Sequence, residues 1–167
     1  MRSLPLVWTL LVVVAAPAVT RAEPALASAE LRLSYGLASG GGAGRATVRA
    51  SPLVIAVGGA IAIRDQPRTS AYASVVIETL DRTGAGGEAG LMLTASERFR
   101  LRAGGIAIVR PYTLWGGALG ASTCLPMAGV RACGDLAVDL FVGGTDLPDK
   151  TAVVQLMLGF GVVIDVH

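Results

Sequence analysis

Few residues in this sequence are able to do chemistry. It has two cysteines and one histidine, with 14 basic and 12 acidic residues among 167. Cys124 and Cys133 stand nine apart and flank a segment that holds Pro126 and Gly129. In an exported chain, two cysteines across one short connection read as a hairpin disulfide. A metal site needs more ligands, and the one histidine, His167, is far off in the chain. His167 is also the last residue, where chains fray, so a Ser-His-Asp relay has no firm base to use. The glycine groups at 40–44 and 84–87 lack a Lys-Ser or Lys-Thr tail and open no helix, which argues against a phosphate cradle. Neither catalysis nor a cofactor is expected.

What remains is a set of polar residues that alternate with apolar ones. Its members are Arg32, Ser34, Glu78, Thr94, Asp135, Asp139, Gln155 and Asp165, with Arg102 joining them if its strand keeps the same parity. Charges of both signs that share a confined space should pair. Whether they share one depends on the strands that carry them.

The clearest strand is the last, residues 151–167. Val154, Leu156, Leu158, Phe160, Val162, Ile164 and Val166 fall on one parity. Gln155, Met157, Gly159, Gly161, Val163 and Asp165 fall on the other. A period of two over this length is a strand with one wholly apolar face. An unbroken greasy face opposite a small and polar one fits lipid outside and a polar lumen inside. Gly159 and Gly161 then leave room for larger lumen neighbours such as Phe141 or Trp115.

Seven further runs precede it, at 30–39, 53–64, 70–80, 89–95, 100–109, 112–121 and 132–142. Leu31, Leu33, Tyr35 and Leu37 oppose Arg32 and Ser34 in the first. Ala73, Val75 and Ile77 oppose Val76 and Glu78 in the third. Leu136, Val138 and Leu140 oppose Asp135, Ala137, Asp139 and Phe141 in the seventh. Gly104-Gly105 could host a bulge and leaves the parity of the fifth open. The connections expected between runs are glycines 40–44 continuing through Ser51-Pro52, the segment 81–88, and the cysteine-bearing segment 122–131. A tilted transmembrane strand needs about 9–11 residues. Eight such runs therefore make an all-β, eight-stranded antiparallel up-and-down barrel with no room for a second domain.

The N-terminus reads as a secretory signal peptide over 1–22. Met1-Arg2 is a basic start, Leu4 to Val19 is apolar, and cleavage is expected after Ala22. The apolar run is shorter than the ~20 residues of a spanning helix, which argues against an uncleaved anchor. One domain is expected over 23–167. Removing Arg2 and Arg21 leaves 12 basic residues against 12 acids, so nothing suggests a nucleic-acid partner. The apolar fraction of 53% is high, and charge at 16% is low, for a soluble domain.

Signal peptide, dyad alternation, glycine-rich connections and an apolar final strand together resemble the small eight-stranded outer-membrane barrel proteins of Gram-negative bacteria. The resemblance is one of architecture and covers residues 30–167. It implies an outer-membrane location, contact with outer-membrane lipid, insertion by the barrel-insertion machinery, and partner contacts made by loops. The chain differs from the class in ending Asp165-Val166-His167, where an aromatic residue is usual.

Two readings of the lumen follow. The polar cluster Arg32, Glu78, Asp135, Asp139, Gln155 and Asp165 either plugs the barrel or lines a narrow pore for small solutes. An eight-stranded barrel is just wide enough for its side chains, which favours the plug. The alternative outside the membrane is a soluble secreted barrel that binds a small apolar ligand. It would put Leu156, Leu158 and Phe160 inside and Asp139 and Asp165 outside.

Overall fold

Period-two alternation becomes a single antiparallel sheet that closes on itself. The computed structural model describes residues 26–42, 45–80, 83–127, 129–147 and 151–166. The signal peptide expected over 1–22 lies outside these residues, as does His167. The strands are β1 Ala27–Gly42, β2 Arg45–Ala50, β3 Leu53–Ile63, β4 Gln66–Thr79, β5 Gly84–Thr94, β6 Phe99–Arg110, β7 Leu114–Met127, β8 Val130–Gly144 and β9 Ala152–Val166. Each pairs with its neighbours, and β1 pairs with β9 from Ala27↔Val166 to Gly41↔Ala152, which shuts the barrel.

There are nine strands but eight staves. β2 and β3 both pair with β1, β2 along its second half and β3 along its first, so together they form one broken stave. Pro52 has no N–H to give a ladder. Beside it the Ser51 amide donates to the Gly36 carbonyl at 2.9 Å, and Ser51 Oγ accepts from the Gly36 amide at 2.8 Å. The serine hydroxyl thus stands in for a backbone acceptor, and the ladder passes through the break. The region expected to be a connection from glycine 40 to Pro52 is therefore mostly paired strand.

Register sets the girth. Starting at Ala29 and stepping through Gly59, Ala73, Ala89, Gly105, Gly117, Leu140 and Val154 leads back to β1 at Ser39, ten residues farther on. A stagger of this size tilts the strands by about 35–45°. Residues at one height in the lumen therefore come from different register rows.

The two faces separate cleanly. Leu31, Val57, Val75, Leu91, Leu101, Leu119, Leu136 and Leu158, one from each stave, are exposed on the outside. On the inside, Arg32, Ala56, Val76, Met92, Arg100, Ala118, Asp135 and Met157 are buried. β6 keeps one parity through Gly104-Gly105, because Gly104↔Gly90 and Gly105↔Ala89 are consecutive pairs with no bulge between them. The irregularities sit instead at Ala62/Ile63, Ala85/Gly86 and Trp115/Gly116. Trp115 points outward, so it is not a lumen residue. Gly159 and Gly161 instead make room for β1. A Cβ on Gly159 would stand 2.4 Å from the Leu33 carbonyl oxygen, and one on Gly161 would stand 3.1 Å from Arg32 Cγ.

Two more expected connections are strand. β5 starts at Gly84, so glycines 84–87 and Glu88 lie in the barrel wall. β7 and β8 run on to Met127 and Val130, and they carry both cysteines in the ladder. β3 and β4, β5 and β6, and β7 and β8 follow one another at the end of the barrel that holds the strand termini Ala27 and Val166. β1 and β2, β4 and β5, β6 and β7, and β8 and β9 follow one another at the opposite end.

Candidate functional site in the barrel lumen

Inward parity brings arginines and carboxylates from five staves into the lower lumen. Arg32 on β1 places Nη2 2.7 Å from Glu88 Oε2 and Nε 3.2 Å from Glu30 Oε1. Arg102 on β6 reaches Asp135 on β8 with two parallel bonds, Nη1–Oδ1 at 2.6 Å and Nη2–Oδ2 at 3.1 Å. Its Nε lies 3.3 Å from Glu88 Oε1. Glu88 also accepts from the Tyr72 hydroxyl at 2.6 Å, and Asp135 from the Ser122 hydroxyl at 2.8 Å. Arg100 reaches Glu30 at 3.4 Å, and Arg131 pairs with Asp165 nearer the terminal end. Four arginines thus meet four carboxylates. In a low-dielectric interior such charges persist only when paired and hydrogen-bonded in this way.

The Arg102–Asp135 fork depends on Gly120. Arg102 must cross β7 to reach β8, and Gly120 is its partner on β7. A Cβ there would stand 2.4 Å from Arg102 Cζ. Gly120→Ala is expected to lift the guanidinium off its carboxylate and lower stability by about 1–3 kcal/mol, as overpacking does. A urea titration of the folded barrel reads the change. A midpoint equal to that of the parent would mean that the arginine has room to spare.

Cys124 and Cys133 are bonded and directly opposed in the β7–β8 ladder, with Cα atoms 4.0 Å apart. Both face inward and are buried, and Arg100 Nη2 stands 3.6 Å from Cys133 Sγ. The bond closes a short hairpin loop. Cys124→Ala with Cys133→Ala is therefore expected to lower stability by about 2–3 kcal/mol, measured against the oxidised parent in the same denaturant. An unchanged midpoint would mean that the hairpin is already fully ordered without the bond.

The lumen is not polar throughout. Above the ion pairs, Val54, Val76, Ile106, Ile108, Leu114, Phe141 and Met157 form an apolar cluster. Tyr112 donates to Glu78 beside it. Asp139 and Gln155, opposed on β8 and β9, stand at its edge. The six residues singled out from the sequence therefore fall in three places. Arg32 and Asp135 belong to the ion-paired network. Asp165 pairs with Arg131 toward the terminal end. Glu78, Asp139 and Gln155 lie higher up, outside that network.

The reading of the sequence missed Glu30, Tyr72, Glu88, Arg100, Ser122 and Arg131. Glu88 was hidden by its glycine-rich surroundings, which read as a connection. Counting back in twos from Met92 would have reached it. A cavity of about 20 Å³ lined by Glu30, Gly58, Tyr72 and Ser74 adjoins the network, and the Ser74 hydroxyl has no protein partner. That volume holds one water molecule.

No protein-family model matches the chain, and no curated protein matches it. Among solved structures, it is similar in fold to two of Ail, the attachment invasion locus protein of Yersinia pestis. One, in complex with the heparin analogue sucrose octasulfate, is 14% identical with a TM-score of 0.48, and the match covers 83% of this chain and 99% of that one. The other is 12% identical with a TM-score of 0.48, and the match covers 82% and 98% of the two chains.

Proposed function

We propose that this chain is an outer-membrane β-barrel with a structural role, its lumen closed by its own side chains. The observation that carries the reading is the outer face, where every stave exposes large apolar residues around the whole circumference. In water that surface would drive aggregation, whereas in lipid it is the ordinary exterior of a closed barrel. A soluble calyx would have the opposite polarity. Here Leu156, Leu158 and Phe160 face out, and Asp139 faces in. The ion-paired lower lumen and the packed apolar layer above it support a plug rather than a pore. Contacts with other molecules fall to the short connections at the end away from the termini. No catalytic step is proposed.

The test is fractionation together with conductance. The full chain should be recovered with the outer membrane, need detergent for extraction, and migrate differently in gels before and after boiling. In planar bilayers it should give no stable channel steps. Recovery in the soluble periplasmic fraction would refute the membrane reading. Reproducible single-channel steps would refute the plug and favour the narrow pore.

A further inference from the structure

Among the described residues, β2 is the one strand of the sheet with a neighbour on one side only. It pairs with residues 37–42 of β1, the half farthest from Ala27. On its other side the wall stops short. β4, the next stave, ends at Thr79, opposite Leu53 at the start of β3. β2 therefore rises beyond β4 with one edge open.

The bond at Ser51 fixes which groups that edge presents. The Ser51 amide donates to the Gly36 carbonyl. In an antiparallel ladder such bonded pairs alternate with unbonded ones. Arg49, Thr47 and Arg45, opposite Ala38, Gly40 and Gly42, thus turn their backbone groups toward β1. Ala46, Val48 and Ala50 turn theirs away. Their amides and carbonyls form a row at the rim, and Val48 among them is 68% exposed. Backbone donors and acceptors call for partners, and an open row of them is a template for another strand.

We infer that the β2 edge binds an extended acidic segment of another protein, added as a strand where a longer β4 would run. The backbone of the segment supplies the ladder, and its side chains supply the choice. Arg45 and Arg49 fall on one parity of β2. The fitting segment carries carboxylates on that parity, because opposite charges across a ladder stabilise it. A second copy fits poorly. Pairing β2 with β2 brings the arginines of one copy beside those of the other, and like charges there are destabilising. The inference rests on the reading above for its membrane setting. Binding is measured on the purified chain, so it can fail while fractionation with the outer membrane succeeds, and the reverse.

The experiment uses the full chain folded in detergent and a fluorescent hexapeptide of alternating glutamate and valine. The peptide should bind saturably. The same peptide N-methylated at every residue keeps its charges but loses its donors, and should bind at least about tenfold more weakly. A version with lysine in place of glutamate should weaken as much. Val48→Pro removes one edge amide and no bond to β1, so it should also weaken binding about tenfold, with the folded barrel's gel mobility unchanged. Equal binding of the methylated peptide would overturn the edge, as would full binding by Val48→Pro. Equal binding of the lysine peptide would overturn the acidic partner. Self-association of the chain that Val48→Pro abolishes would give the edge to a second copy and overturn the inference too. Should that variant fail to fold, the methylated peptide decides on the parent.

Discussion

Asp135→Ala is expected to lower the stability of the folded barrel by about 3–5 kcal/mol, the range for breaking a buried charge pair from one side. Asp135 takes both forks of Arg102 and the Ser122 hydroxyl. Its removal leaves Arg102 buried with one remaining contact, to Glu88 at 3.3 Å. That contact cannot replace a bidentate one, because Glu88 already serves Arg32 and Tyr72. The loss should lie in the stranded charge more than in the missing attraction. Arg102→Met combined with Asp135→Leu should therefore recover most of it, since apolar groups of similar volume do well in such sites. Equilibrium unfolding in urea, in the same detergent or vesicle, measures all three proteins. An Asp135→Ala midpoint within error of the parent would mean that the fork contributes nothing. A double variant no better than the single would mean that the pair is worth more than its desolvation.

Leu158→Arg is expected to cost about 2–4 kcal/mol if that residue faces lipid near the membrane midplane. Leu158 is mid-strand in β9, 69% exposed, between Tyr35 of β1 and Leu136 of β8. Met157, one residue earlier, is buried in the apolar layer of the lumen. Met157→Gln is therefore expected to cost about 1–3 kcal/mol, the range for a buried amide without a partner, and stability alone does not separate the two faces. Accessibility does. A cysteine probe at 158 should be quenched by lipid-attached quenchers, and one at 157 should be shielded from both lipid and water. Water at 158 would mean that the outer face is not in lipid. Lipid at 157 would mean that the strand is turned over, and the lumen described here would be its exterior.

Much of the architecture was legible in the order of residues. Alternation is a local property, since successive strand side chains point to opposite faces. Residues 154–166 therefore determine by themselves which face of β9 is apolar, and the same holds for β1, β4 and β8. Where glycine or proline blurs the pattern, the reading stopped short. Gly84 to Gly87, Ser51-Pro52 and the residues around Cys124 and Cys133 carry turn chemistry, yet they lie in or beside the ladder. The Ser51 hydroxyl closes one break, and the disulfide sits directly across the β7–β8 pair.

Partners across the lumen were beyond the sequence. Parity says that Arg102 and Asp135 point inward, but not that Arg102 crosses Gly120 to reach Asp135. That choice belongs to the stagger of ten residues around the closed sheet, which decides which inward positions share a height. The same stagger gathers Val54, Ile106, Phe141 and Met157 into an apolar layer from four distant parts of the chain. It leaves Asp139 and Gln155, opposed on β8 and β9, beside that layer. Alternation, which acts between neighbours in sequence, determined what faces in. Only closure of the barrel, which acts between residues far apart in sequence, decided what meets there.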